Sequence, residues 1–371
     1  MKNYSLTILG PSGSGKSIFL ASFYKVLSIS GDFGFFIDVQ DPMKRQSLNK
    51  IYADLTVGEI WPSGTRNISE WVFTCYVNTP ELSKVPACKL TYIDYAGGTI
   101  TDLSTEEKSY SDYADLESYL KTSDAVLAVL DGQKLLSCME DRSLTNKSVL
   151  RWIHEDFPNL MQMVAKCKKD TPAHFIISKW DLLENSYSLT DIRNFLLDTV
   201  SEFHNVVESR RRVGCPVHLV PVSSLGNNFT TLQSDGQMKK IPGKVPRPIN
   251  VEIPFAFALT SKPTDKPTNL KRLGFKFVVQ DWVVLGFCVV LLLAHGAGFI
   301  IALLYFGVRM FLFKRNINKQ TADKNISEND AFNLIFSKCM ELKNQFKSDF
   351  PDSDITATSF SSSSSSGKTK Q

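Results

Sequence analysis

Eight residues near the start of the chain, "GPSGSGKS" at 10–17, have the types and spacing to grip a phosphate. Glycines at Gly10, Gly13 and Gly15 let the backbone turn tightly, so that successive N–H groups face one anion at a helix N-terminus. Lys16 is placed to span β- and γ-phosphates, and the Ser17 hydroxyl to ligate Mg²⁺. We assign Ser12, Ser14 and Ile18 to the same grip. The loop follows a short β-branched run (5–9) and opens the amphipathic "KSIFLASFYKVL" (16–27), the strand–loop–helix setting this chemistry needs. Nothing in it chooses a base.

Three later stretches bear on that choice. "YIDYAGG" (92–98) ends an apolar run in Asp94-x-x-Gly97. An acid at a strand's carboxyl end can hold Mg²⁺ through water, and a glycine three residues on can bring its N–H to a γ-phosphate; a chance strand-ending turn has the same spelling. "FIISKWD" (175–181) offers Lys179-x-Asp181. A carboxylate there accepts from the N1–H and N2 amine of guanine, donors that adenine lacks, and an unmatched base leaves it unpaired. The Lys179 stem can lie over the purine face. The plainer reading of Asp181 is an exposed cap on the next helix. In "VPVSSLG" (220–226), Ser223 and Ser224 can present a hydroxyl and an N–H to guanine O6, although serine pairs also cap strand ends.

In this order the four motifs resemble the TRAFAC class of P-loop GTPases over residues 1 to about 260. "GEIWPSGT" (58–65), "DYAGG" (94–98) and "PINVEIPFAFAL" (248–259) are most similar to bacterial double-GTPase-type proteins linked to conflict systems. The resemblance implies a Ras-like G domain acting on GTP with Mg²⁺. Lys16, Thr65 and Gly97 would serve catalysis, and Ser17, Thr65 and Asp94 the metal, with Thr56 the reserve for Thr65. Two positions depart from the family pattern. Ser178 stands where Asn or Thr is usual, and Gly98 where many Ras-like members carry the glutamine that orients water. A partner or second subunit must then position the water, or hydrolysis is slow. Arg66 is either a charge stabiliser in cis or a solvated loop residue.

These residues need a scaffold, and the apolar pattern supplies one. Runs at 5–10, 71–77, 89–94, 125–131, 174–181 and 217–223 are short, continuous and separated by helix-length segments, which predicts strands buried on both faces of a mostly parallel sheet. "FGFFIDV" (33–39) adds an edge strand. The expected fold is a three-layer α/β P-loop domain over 1–260. A transporter-type ATPase would need an LSGGQ-like signature and Asp-Glu at the Walker B strand end, whereas Asp94 and Asp131 are followed by Tyr and Gly. A nucleotide kinase reading leaves Lys179 and Asp181 unexplained.

Charge is nearly balanced, with 42 Lys+Arg against 38 Asp+Glu, so nucleic acid is not an expected partner. Seven scattered cysteines without metal-ligand spacing predict reduced thiols, and "MKNYSLTILG" is too short an apolar run for a signal peptide. Both place the G domain in the cytoplasm.

A Pro- and Lys-bearing linker (261–276) leads to a membrane segment (277–313), whose 32-residue core from Trp282 to Phe313 holds one Arg and no acid. As helix it exceeds a hydrocarbon core of about 30 Å. Basic residues flank it on both sides, and "HGAG" (295–298) falls mid-run. A single tilted span and a re-entrant hairpin both remain open, length favouring the span. A cytoplasmic or exterior helical segment (314–350), capped by Ser327, and a disordered Ser-rich tail (351–371) complete the chain. The expected partners are GTP and GDP, the lipid bilayer, a protein effector or activator and, in some form, a homo-dimer.

Overall fold

The computed structural model describes residues 1–29, 33–57, 61–62, 68–78, 84–94, 107–141, 146–233, 235–261 and 327–357. Its centre is a seven-stranded sheet: β1 (Lys2–Leu9), β2 (Phe35–Val39), β3 (Ser69–Asn78), β4 (Lys84–Asp94), β5 (Ala125–Asp131), β6 (Ala173–Ser178) and β7 (Val217–Pro221). The strands lie in the order β2-β3-β4-β1-β5-β6-β7. Strands β4, β1, β5, β6 and β7 run parallel, while β3 pairs antiparallel with both β2 and β4. Each expected run therefore forms a strand, and the 33–39 run takes the sheet's edge.

Side chains alternate between two buried faces, as a pleated strand requires. Ala125, Leu127 and Val129 join one core, and Val126, Ala128 and Leu130 the other. The first core is closed by α1 (Lys16–Leu27), α2 (Pro42–Val57) and the apolar α9 (Ile253–Thr260). The second is closed by α3 (Glu107–Thr122), α4 (Gly132–Glu140), α5 (Lys147–Arg151), a π turn (Trp152–Asp156), α6 (Phe157–Lys166), α7 (Leu189–Thr199) and α8 (Ser201–Arg212). The three-layer α/β expectation is met. A two-stranded hairpin, β8 (Thr230–Leu232) and β9 (Met238–Lys240), stands outside the main sheet.

Two expected boundaries need correction. The helix expected after the membrane segment forms as α10 (Glu328–Asp349), with the Ser327 hydroxyl accepting from the Asp330 N–H at 3.2 Å. It is no separate unit but the cover of the first core. Ala331, Phe332, Ile335, Phe336, Cys339 and Phe346 are all buried there. Phe332 stacks on Tyr4 at 5.8 Å between ring centroids, and Phe346 meets Phe257 edge-on at 5.6 Å. The cause lies in α9, whose eight residues are all buried and so need a second apolar face over them.

Residues 351–357, expected in the disordered Ser-rich tail, belong to the described fold instead, and 358–371 lie outside the described residues. Pro351 ends the helical run, Asp354 bridges to His218 at the start of β7, and Ile355 is fully buried. The proposed membrane segment lies outside the described residues. Among the described residues, no helix is long and apolar enough to cross a membrane.

Candidate functional site

The phosphate loop, Asp94, Lys179-x-Asp181 and the Ser223–Ser224 pair sit at the carboxyl ends of parallel strands, where loops are free of the ladder and can carry ligand groups. The loop after β1 passes through Gly13 at φ 79° and Gly15 at φ 93°, left-handed conformations that glycine adopts without strain. Gly15 is the N-cap of α1 and makes no side-chain cap bond, as a glycine must. Gly10 serves differently: a Cβ there would stand 2.8 Å from the Ser14 hydroxyl and 3.0 Å from the Val129 carbonyl.

Lys16 is 6% exposed and donates from Nζ to the carbonyls of Gly10 (2.6 Å) and Pro11 (3.1 Å). Burial strips its ammonium of water and lowers its pKa to about 8, with the Asp94 charge working the other way. Asp94 ends β4 beside Ile8 of β1 and is 2% exposed, so a negative charge lies beneath the loop.

On the other side of the cavity, β6 runs into Lys179, held at φ 52° in the left-handed region rare for a side-chain-bearing residue. That turn throws Asp181 toward β7. The Ser223 hydroxyl donates to Asp181 Oδ1 at 2.5 Å, and the Gly226 N–H donates to the Ser223 Oγ at 3.0 Å. Burial raises the Asp181 pKa, opposed by the Ser223 hydrogen bond and by the Lys179 charge. Asp181 is thus a partly buried acceptor locked by a neighbouring strand, which the exposed-cap reading does not describe. Ser224 is tied to the phosphate loop's helix, its carbonyl accepting from the Ser22 hydroxyl at 2.8 Å.

A cavity of about 440 Å³ joins these parts. Ser12, Gly13, Gly15, Lys16, Ser17 and Ile18 line one end, and Ser178, Lys179, Asp181, Ser223 and Ser224 the other. Residues separated by up to about 210 positions thus meet around one space. Gly10, Ser14 and Asp94, expected at the site, do not line the cavity. Thr65 and Gly97 lie outside the described residues, as do Arg66 and Gly98. Thr56 falls on α2, where its hydroxyl donates to the Tyr52 carbonyl at 2.8 Å, and it does not line the cavity. The Ser178 hydroxyl donates to the Leu130 carbonyl across the β5–β6 pair, so it braces the sheet.

The structure adds residues that the sequence analysis did not pick. Lys179 Nζ lies 2.9 Å from the Asp131 carboxylate and 3.3 Å from Gln133 Oε1. Asp131 in turn caps α4 through the Gln133 N–H. An acid ending a buried strand beside a second strand-end lysine was the available signal. Trp61, Thr230, Gln237 and Met238 also line the cavity, with Trp61 Nε1 donating to the Met238 carbonyl at 2.8 Å. Nothing local in the sequence marks that contact between residues 177 positions apart.

Among the described residues, no group of three or more His, Cys, Asp or Glu side chains could hold a metal ion. Ser17 and Asp94 make a sparse set of oxygens. That suits Mg²⁺, which keeps waters and takes phosphate oxygens instead of occupying an all-protein cage. In comparisons with known proteins, no family model matches the chain and no curated protein matches it.

Proposed function

We propose that the chain is a membrane-anchored GTP-binding protein that hydrolyses GTP to GDP and phosphate and acts as a nucleotide-dependent switch. One observation carries this reading: the phosphate loop and the Asp181–Ser223 pair line the same cavity, a phosphate grip at one end and a fixed double acceptor at the other. The carboxylate answers guanine's N1–H and N2 amine. In this reading Ser224 would offer its N–H to O6, and the Lys179 stem a face for the ring.

At the phosphate end, the amides after Gly15 and the Lys16 ammonium would meet the charge that develops as the γ-phosphoryl departs. Mg²⁺ on Ser17, and through water on Asp94, would neutralise the β- and γ-oxygens. Thr65 and Gly97 take the switch roles that the resemblance assigns them, sensing the γ-phosphate and releasing on hydrolysis. With Gly98 where a glutamine is usual, a partner or second subunit orients the water.

The absent glutamine favours one second reading, a GTP-binding membrane scaffold with little hydrolysis. Phosphate release from the full-length chain, with Lys16→Ala as control, separates the two. Release above the control supports the enzyme; GTP binding without release supports the scaffold. The guanine assignment has a separate test. Asp181→Asn should abolish the preference for GTP over XTP, and an unchanged preference would sink it.

A further inference from the structure

The chain leaves the Asp181–Ser223 end of the cavity after Leu225 and returns to it at Arg247. There the Arg247 N–H donates to the Leu225 carbonyl at 2.8 Å, and Ile249 bridges to Ser223. The two passes come close enough to need Gly226, at φ 79°, because a Cβ would collide with the Arg247 carbonyl. The β8–β9 hairpin is the excursion between them. Its root is the buried Phe229, whose carbonyl accepts from the Ile241 N–H at 2.9 Å. Beyond that root, no residue of either strand is buried.

Side-chain hydrogen bonds fasten the hairpin at two places instead. Gln133 of α4 donates from Nε2 to the Gly236 carbonyl at 2.6 Å, while its Oε1 takes the Lys179 ammonium at 3.3 Å. On the other arm, Lys240 Nζ donates to the Asp54 carbonyl at 2.9 Å, in the last turn of α2, where unpaired carbonyls draw a cation. The same ammonium lies 5.1 Å from the centre of the Trp61 ring. Thr230, Gln237 and Met238 of this excursion line the cavity, as do Lys179 beside one fastening and Trp61 beside the other.

We infer that the β8–β9 hairpin is a strap fastened across the cavity, with Gln133 and Lys240 as its clasps, and that its opening sets how fast a nucleotide enters and leaves. This rests on the nucleotide reading of the cavity. Neither clasp lines the cavity, so each reaches a bound nucleotide only through what it holds. A two-stranded hairpin is marginal by itself. A segment held by exposed hydrogen bonds and few apolar contacts opens locally at much lower cost than the whole fold. The strap therefore lifts while the sheet and the phosphate loop stay in place. Entry and exit both pass through the lifted form, so a loosened clasp speeds both. Loss of a residue that only positions the base acts on exit alone.

Stopped-flow mixing of the full-length chain with a fluorescent GDP analogue, followed by a chase with excess GDP, reads both rates. Gln133→Ala and Lys240→Met each remove one exposed hydrogen bond, an effect of roughly threefold to tenfold. In each variant, association and dissociation should rise together by about that factor, and the dissociation constant should change less than either rate. Both variants should keep the wild-type urea midpoint, since no core residue is touched. A lowered midpoint would make the hairpin part of the global fold and overturn local opening. Faster dissociation alone, in Gln133→Ala only, would mean that Gln133 acts on the base through Lys179, and the strap would be wrong. Unchanged rates in both variants would overturn it as well. A wild-type chain that binds no analogue would overturn the nucleotide reading itself, and this inference with it.

Discussion

Asp181 and Ser223 stand 42 positions apart in sequence and 2.5 Å apart in space, the serine hydroxyl donating to the carboxylate. The serine fixes one oxygen of Asp181 and resists the upward push of burial on its pKa. Removing the hydroxyl in Ser223→Ala lets the carboxyl rotate and protonate more easily. A hydrogen bond to a charged group contributes about 1.5 kcal/mol or more. GDP affinity should therefore fall about tenfold, and Ser223→Thr should restore it. Titration with a fluorescent GDP analogue measures both, and an unchanged Ser223→Ala constant would show that the pair does not position the base.

Lys16 predicts a pH dependence with a definite sign. Burial lowers its pKa to about 8, and a bound polyphosphate raises it again by pairing with the ammonium. Protonated Lys16 is thus favoured in the complex. Affinity is full below about pH 8 and falls by about tenfold per pH unit above it, until the raised pKa of the complex is reached. Nucleotide titrations between pH 7 and 9.5 test this. Lys16→Ala should bind more weakly and show no such slope, whereas a wild-type constant that stays flat to pH 9.5 contradicts the burial effect.

Both predictions use residues that were legible in the sequence, for a physical reason. Gly13, Gly15 and Lys16 form a local motif, and buried parallel strands print continuous apolar runs that place Asp94, Asp181 and Ser223 at strand ends. Contacts between distant surface elements leave no such trace. Trp61 meeting Met238 depends on loop paths that no period encodes. The helix at 328–349 was legible as a helix from its spacing and its Ser327 cap. Its place over α9 was not, because an amphipathic face does not name its partner.

That placement makes the C-terminal helix a condition of folding. Phe346 is 3% exposed and packs on Phe257 and Phe350. Truncating such a buried ring costs about 3–5 kcal/mol. Domains are stable by only about 5–15 kcal/mol. Phe346→Ala should therefore lower the urea midpoint markedly. A chain ending at residue 262, which loses all six buried positions of α10, should fail to give a cooperative transition. If that fragment unfolds cooperatively at the full-length midpoint, α10 is dispensable to the core.

The last prediction concerns acid. His174 and His218 are fully buried, their Nδ1 atoms 3.3 Å apart, with Phe257 against both rings. Burial lowers both imidazoles' pKa values. For His174 the neighbouring His218 adds to this, while Asp354 acts in the opposite direction on both. Lys343, Lys347 and Arg210 also face the pair and disfavour a further proton. The folded state thus holds neutral histidines where the unfolded chain, with an ordinary pKa near 6.5, takes up protons. Their contribution is fully present above about pH 6.5 and is lost as pH falls below it. With one or two protons taken up on unfolding, stability should drop by roughly 1.4 to 2.8 kcal/mol per pH unit below that point. Because Asp354 lies 3.5 Å from His218 Nε2 and bridges its backbone, the 351–357 segment should loosen first. Denaturant titrations at pH 7.5, 6.5 and 5.5 measure the slope, and amide exchange at Ile355 and Val217 reports the loosening. A stability constant across that range would mean that the pair is protonated, or solvated, in the folded chain.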